Sequence, residues 1–209
     1  MPFNFDPNQN YYLFNNNNTT PLVFIHGVGL DQTMWNPQLN YFKNETTLTY
    51  DLLGHGKTPL KKNNLSMKNF TDQLYGLIKS LDINKFNLVG FSIGSLIAIE
   101  FASKYHNFLK SLTLIATTYK RNEVERQRVI DRVNLAKENK SISDLAMKRW
   151  FTDDYLTKNP NLIKNLKRQL EKQGDDHVNF IKAYSLFANY REDIKIINSI
   201  PTKTLVITG

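Results

Sequence analysis

Residues 90–94 read Gly90-Phe91-Ser92-Ile93-Gly94, between the apolar run Phe86 to Val89 and a helix-like stretch from Ser95 to Tyr105. This is a G-x-S-x-G pattern at a point where a strand turns sharply into a helix, the context that gives it mechanical meaning. A serine at such a turn is held in a strained backbone conformation, with its hydroxyl projected out of the sheet. Flanking glycines let neighbouring backbone approach where a Cβ would intrude. The Ile93 amide falls at a helix N-terminus, where unpaired N–H groups bind a developing oxyanion. The pattern therefore predicts Ser92 as a nucleophile and Ile93 as one oxyanion donor.

A second motif lies upstream. Leu22-Val23-Phe24-Ile25 reads as a short buried strand that empties into the turn His26-Gly27-Val28-Gly29. The glycines let this loop fold tightly over a substrate carbonyl, which makes the Val28 amide the second expected oxyanion donor. His26 reads as a turn residue that bonds neighbouring loops, because a general base should arrive from another loop. A third element follows, with a strand from Thr46 to Tyr50 and then Asp51-Leu52-Leu53-Gly54-His55-Gly56-Lys57-Thr58.

On these three motifs, in this order and spacing, the chain from about Pro21 onward resembles the α/β-hydrolase superfamily. The resemblance implies an α/β fold, a mostly parallel sheet with helices on both faces and an inserted helical cap. It makes His55 a structural residue of the D-x-x-G-x-G-x-[ST] turn. It also implies a Ser, then Asp or Glu, then His order for the catalytic triad. The sequence ends Ile200-Pro201-Thr202-Lys203-Thr204-Leu205-Val206-Ile207-Thr208-Gly209, similar to the strand that delivers the acid. The expectation is a C-terminally truncated chain, with the last strand and helix missing and the acid and histidine beyond Gly209. Losing a triad member costs about 10⁴ in rate, so the 209-residue chain is expected to be a poor catalyst. Two internal alternatives are weak. Asp175-Asp176-His177 are too close in sequence to orient one another, and residues 174–179 read as a loop. His106 falls at the solvent end of the elbow helix.

Periodicity organises the rest. A strand at Tyr11 to Phe14 follows an irregular N-terminal segment, and Met34 to Phe42 looks helical. Ser66 caps a helix to about Leu81, with Phe70, Leu74, Leu77, Ile78 and Leu81 as its apolar stripe. A strand spans Leu109 to Ile115, and strands alternating with helices of this length argue for a parallel sheet. The expected organisation is a core over residues 1–117, a helical cap over 118–198, and a core strand over 199–209 leading to the absent acid loop.

Composition sets the class. With 209 residues and no cysteine, the chain can bury one good core and has no disulfide framework or thiolate metal site. No apolar run is of membrane-spanning length and no signal peptide is visible, so no membrane partner and a cytoplasmic location are expected. The net charge is +8. Residues 118–209 carry eighteen basic and twelve acidic residues, and those of the first cap helix are interleaved at helical spacings. That is a solvated face rather than a nucleic-acid surface, although a basic cap could steer an anionic substrate.

The segment Lys148-Arg149-Trp150-Phe151-Thr152, the Ile-Pro-Thr lead-in to the last strand and the opening from His26 to Trp35 are similar to 3-oxoadipate enol-lactonases and their relatives. That likeness implies hydrolysis of a small carboxylated lactone with neither metal nor cofactor. Trp150 would wall the acyl pocket and Arg149 would face a substrate carboxylate; cap core and solvent are the competing roles. The expected function is hydrolysis of a small ester or lactone through an acyl-enzyme. C–C hydrolases, haloperoxidases and acyltransferases keep the same constellation. A non-catalytic small-molecule-binding protein on this scaffold is the alternative from another class. Oligomeric state is not legible.

Overall fold

The computed structural model describes residues 3–61, 64–172, 174–191 and 193–208; Gly209 lies outside them. The strands are β1 (Phe3–Phe5), β2 (Tyr11–Asn15), β3 (Leu22–Ile25), β4 (Thr47–Tyr50), β5 (Phe86–Phe91), β6 (Leu109–Ile115) and β7 (Thr204–Ile207). They form one sheet in the order β1-β2-β4-β3-β5-β6-β7. The pairs β1/β2 and β2/β4 are antiparallel, and every pairing from β4 through β3, β5 and β6 to β7 is parallel. This is the expected mostly parallel α/β sheet. The strand β1 was not legible: with three residues it is too short for an alternation to show.

The helices are α1 (Asn36–Tyr41), α2 (Met67–Ser80), α3 (Ile93–Tyr105), α4 (Glu123–Lys137), α5 (Ser143–Trp150), α6 (Asp153–Lys158), α7 (Pro160–Leu170), α8 (Gly174–Asn189) and α9 (Ile194–Asn198). Contacts divide the chain into a sheet unit, residues 1–120 with 191–209, and a helical unit, Arg121–Tyr190. The helical unit is thus shorter than residues 118–198, because α9 packs against α3 in the sheet unit.

Both sheet faces are covered, which follows from the period of two in a strand. On one face Phe24 and Leu13 pack with Trp35 and Leu39, joined by Leu22, Val89, Phe91 and Ile115. On the other, Phe86 meets Phe101 of α3 with ring centroids 5.9 Å apart. All of β4 is buried, as a central strand demands. The helix α2 begins after Ser66, whose backbone amide and hydroxyl both donate to Asn69 Oδ1, and its stripe of Phe70, Leu74, Leu77 and Ile78 is fully buried. At the opposite edge, Leu205, Val206 and Ile207 of β7 are exposed.

Residues 174–179 are not the loop that the sequence suggests. They form the first turn and a half of α8, where Asp175 and Asp176 complement the positive end of the helix dipole.

Candidate active site

The strand β5 lies at the middle of the sheet, between β3 and β6, with Gly90 opposite Ile25 on one side and Leu114 on the other. Where it ends, Ser92 turns the chain into α3 with φ 56° and ψ −118°. A residue with a side chain pays about 1–3 kcal/mol for such a conformation, so the surroundings must impose it. They do so from both sides. The Ser92 amide donates to the Ile115 carbonyl at 3.0 Å. The Ser92 carbonyl accepts from the Ser95 amide at 2.9 Å and from the Ser95 hydroxyl at 2.5 Å.

The two elbow glycines are required by close approach. A Cβ on Gly90 would fall 2.3 Å from the Gly94 carbonyl oxygen, and one on Gly94 would fall 2.6 Å from that of Ile25. The first turn of α3 is thereby pressed onto the ends of β5 and β3. Ser92 is half-buried, and among the described residues its hydroxyl has no hydrogen-bond partner. Ile93 is the first residue of α3, so helical geometry gives its amide no acceptor within the helix.

The second motif is brought to the same place. Val28 and Gly29 form a turn closed by Leu30 N–H to the Gly27 carbonyl at 3.2 Å, with Gly29 at φ 78°. Gly27 packs beside the elbow, where a Cβ would stand 3.5 Å from that of Ser92. The third motif supports this turn. Asp51, 2% exposed, accepts from the Gln32 amide at 2.9 Å and the Lys57 amide at 2.8 Å. It ties the D-x-x-G-x-G turn to the segment that follows Val28.

Three of the four histidines are hydrogen-bonded to backbone groups. His26 is fully buried, and its Nε2 lies 2.9 Å from the Leu52 amide. An amide can only donate, so Nε2 is the unprotonated nitrogen, and Nδ1–H donates to the Gly27 carbonyl at 2.8 Å. His26 therefore links two loops. His55 is buried, packs edge-on against His26 with centroids 5.2 Å apart, and has Nδ1 3.1 Å from the Leu53 carbonyl. His106 follows the far end of α3, about 20 Å of helix from Ser92. In the helical unit, His177 places Nε2 2.9 Å from the Ala136 carbonyl.

This constellation can be set beside known proteins. Residues 20–209 match the family model described as the alpha/beta hydrolase fold. The chain belongs to the α/β-hydrolase family. Among curated relatives, the hydrolase is 28% identical over 182 residues to (E)-2-((N-methylformamido)methylene)succinate hydrolase of Acinetobacter baylyi, covering 87% of this chain and 68% of that one. It is 28% identical over 200 residues to 3-oxoadipate enol-lactonase 1 of the same organism, covering 92% and 71%. Among solved structures, the enol-lactonase of Burkholderia xenovorans superposes with a TM-score of 0.81 at 23% identity, covering 97% of this chain and 79% of that one. At that identity the likeness speaks to fold alone.

Arg149 and Trp150 close α5 in the hydrolase's helical unit. Trp150 is half-buried, and the Arg149 guanidinium lies 6.0 Å from its ring centroid. Arg149 as a residue is exposed, with the charge of Arg132 and the hydroxyl of Tyr184 acting on its head group. Desolvation there, followed by the nearby Arg132 charge, holds the Arg149 guanidinium below its ordinary range against an opposing contribution from Tyr184. Two contacts were not legible in sequence. The Ser95 hydroxyl bond to Ser92 carries only the weak signal of a serine three residues on, and Arg132 with Tyr184 are 52 residues apart. Among the described residues, no helix is long and apolar enough to cross a membrane.

Proposed function

We propose that this hydrolase cleaves a small ester or lactone through a covalent Ser92 acyl-enzyme. The carrying observation is Ser92 itself, held at positive φ between a central strand and a helix N-terminus with its hydroxyl unengaged. Ser92 Oγ attacks the carbonyl, and the Val28 and Ile93 amides receive the oxyanion, since both lie in the two segments that meet at the elbow. Water then releases the acid. Neither His26 nor His55 is disposed to take the Ser92 proton, and His106 is a helix length away.

Trp150 and Arg149 are assigned to substrate contact, and the substrate class to anionic esters or lactones of small acids. The names of the two Acinetobacter relatives, a succinate-derivative hydrolase and an oxoadipate enol-lactonase, support that class. A cytoplasmic location fits such a substrate and is part of the same proposal.

One experiment tests the reading. Ser92→Ala should abolish hydrolysis of p-nitrophenyl acetate while the thermal melt is retained; undiminished turnover would overturn the nucleophile.

A further inference from the structure

Within the helical unit, the connection from α4 to α5 and the connection from α7 to α8 border a cavity of about 370 Å³. The helix α8 contributes Gly174, His177 and Phe180 at a spacing of three, so one face of its first two turns forms a wall. The buried part of the lining is apolar: Ala136, Ile142, Leu170 and Phe180. An apolar cavity of about 150 Å³ already admits benzene, so this one has room for a substituted ring. Neither Arg149 nor Trp150 borders it, which separates it from the substrate contact assigned above.

The polar lining narrows the chemistry. His177 Nε2 lies 2.9 Å from the Ala136 carbonyl. A carbonyl can only accept, so Nε2 carries the proton, and in the neutral ring Nδ1 is an acceptor. Among the described residues nothing donates to that nitrogen. Lys172 is half-buried, and among the described residues its ammonium has no hydrogen-bond or ion-pair partner. The other charged groups of the lining are engaged. Lys140 pairs with Glu138 at 2.8 Å, and Glu171 Oε1 accepts from the Ser143 hydroxyl at 2.7 Å and the Ser141 hydroxyl at 3.3 Å. The cavity therefore offers one open acceptor and one open donor beside an apolar wall.

We propose that this cavity binds a neutral phenol, whose O–H donates to His177 Nδ1 and whose oxygen accepts from Lys172. A hydroxyl supplies a proton and a lone pair at one atom, which matches that pair of open groups. A carboxylate brings lone pairs only, so it would set oxygen against the bare Nδ1 and add its charge to that of Glu171. An ammonium group would satisfy Nδ1 but would meet the Lys172 charge. The His177 and Phe180 rings, with centroids 6.5 Å apart and planes inclined at 47°, form an aromatic corner that favours a ring over an aliphatic alcohol.

The test is calorimetric titration of the expressed protein with p-cresol at pH 8, which favours the neutral imidazole. Saturable binding is expected. It should weaken about tenfold for p-methylanisole, which has no proton to give Nδ1, and about tenfold for p-cresol in Lys172→Met and in His177→Phe. Lys137→Met, outside the cavity, should change nothing. No saturable p-cresol binding, or parental affinity in both lining variants with unchanged melts, overturns the site. Binding of p-toluate or cyclohexanol as tight as that of p-cresol overturns the phenol class. Should His177→Phe fail to fold through loss of its bond to Ala136, Lys172→Met decides. Nitrogen NMR locates the ligand: p-cresol should move the His177 Nδ1 resonance and leave that of His55 in place. Saturable binding with the His177 resonance unmoved would put the phenol elsewhere and overturn the assignment. Neither measurement depends on ester turnover, so the outcome stands apart from the reading of Ser92.

Discussion

The Ser95 hydroxyl donates to the carbonyl oxygen of Ser92 at 2.5 Å, so the residue expected to react is anchored by the side chain three positions on. Ser95 is fully buried and cannot replace that bond with water. Ser95→Ala should cost about 1 kcal/mol, which for a domain near this size lowers Tm by about 2–4 °C. As a positioning residue it should lower kcat on p-nitrophenyl acetate several-fold with KM little changed. Equal losses in kcat and Tm-corrected active fraction would reduce its role to stability alone.

The backbone at Ser92 should reveal stored strain. Glycine adopts φ 56° without the cost of about 1–3 kcal/mol that a side chain incurs there. Its greater freedom in the unfolded chain offsets about 0.4–1 kcal/mol of that relief. Ser92→Gly should therefore be at least as stable as Ser92→Ala by chemical denaturation, and both should be inactive. A glycine variant clearly less stable than alanine would show that the turn is unstrained.

Tyr50 of β4 is fully buried, and among the described residues its hydroxyl has no hydrogen-bond partner. Removing an unsatisfied buried hydroxyl should be neutral or favourable, so Tyr50→Phe is expected to keep or raise Tm. Burial also pushes the Tyr50 phenol well above its ordinary value near 10. The unfolded chain then loses this proton first as pH rises. The contribution is present in full below pH of about 10 and is lost progressively above it. Comparing melts at pH 9 and pH 11 should show a smaller alkaline loss for Tyr50→Phe than for the parent.

Asp51 joins two loops through the Gln32 and Lys57 amides. In Asp51→Asn one of those amides faces an NH₂ group, and an unsatisfied buried donor costs about 1–3 kcal/mol. Thermal unfolding should show that loss. Reduced turnover of p-nitrophenyl acetate should accompany it, because Gln32 follows the Val28 turn.

The sheet was legible because its strands are short apolar runs separated by helices with capped, striped sequences. β3 and β6 match their expected ranges from Leu22 to Ile25 and from Leu109 to Ile115. The elbow was legible because Gly90 and Gly94 are fixed by backbone approaches that only glycine permits. The turn opening α8 was misread because Gly174 and paired aspartates suit a loop as well as a helix start. The Arg132–Tyr184 contact was invisible, since a pairing across 52 residues leaves no local pattern.

Every strand that touches the elbow, namely β3, β5 and β6, is complete by Ile115, before the helical unit begins at Arg121. A ribosome therefore delivers the parts that set Ser92 in place as one early, contiguous block. N-terminal segments can begin to fold during synthesis. The intervening helices, Arg121–Tyr190, leave the ribosome only after that block is complete.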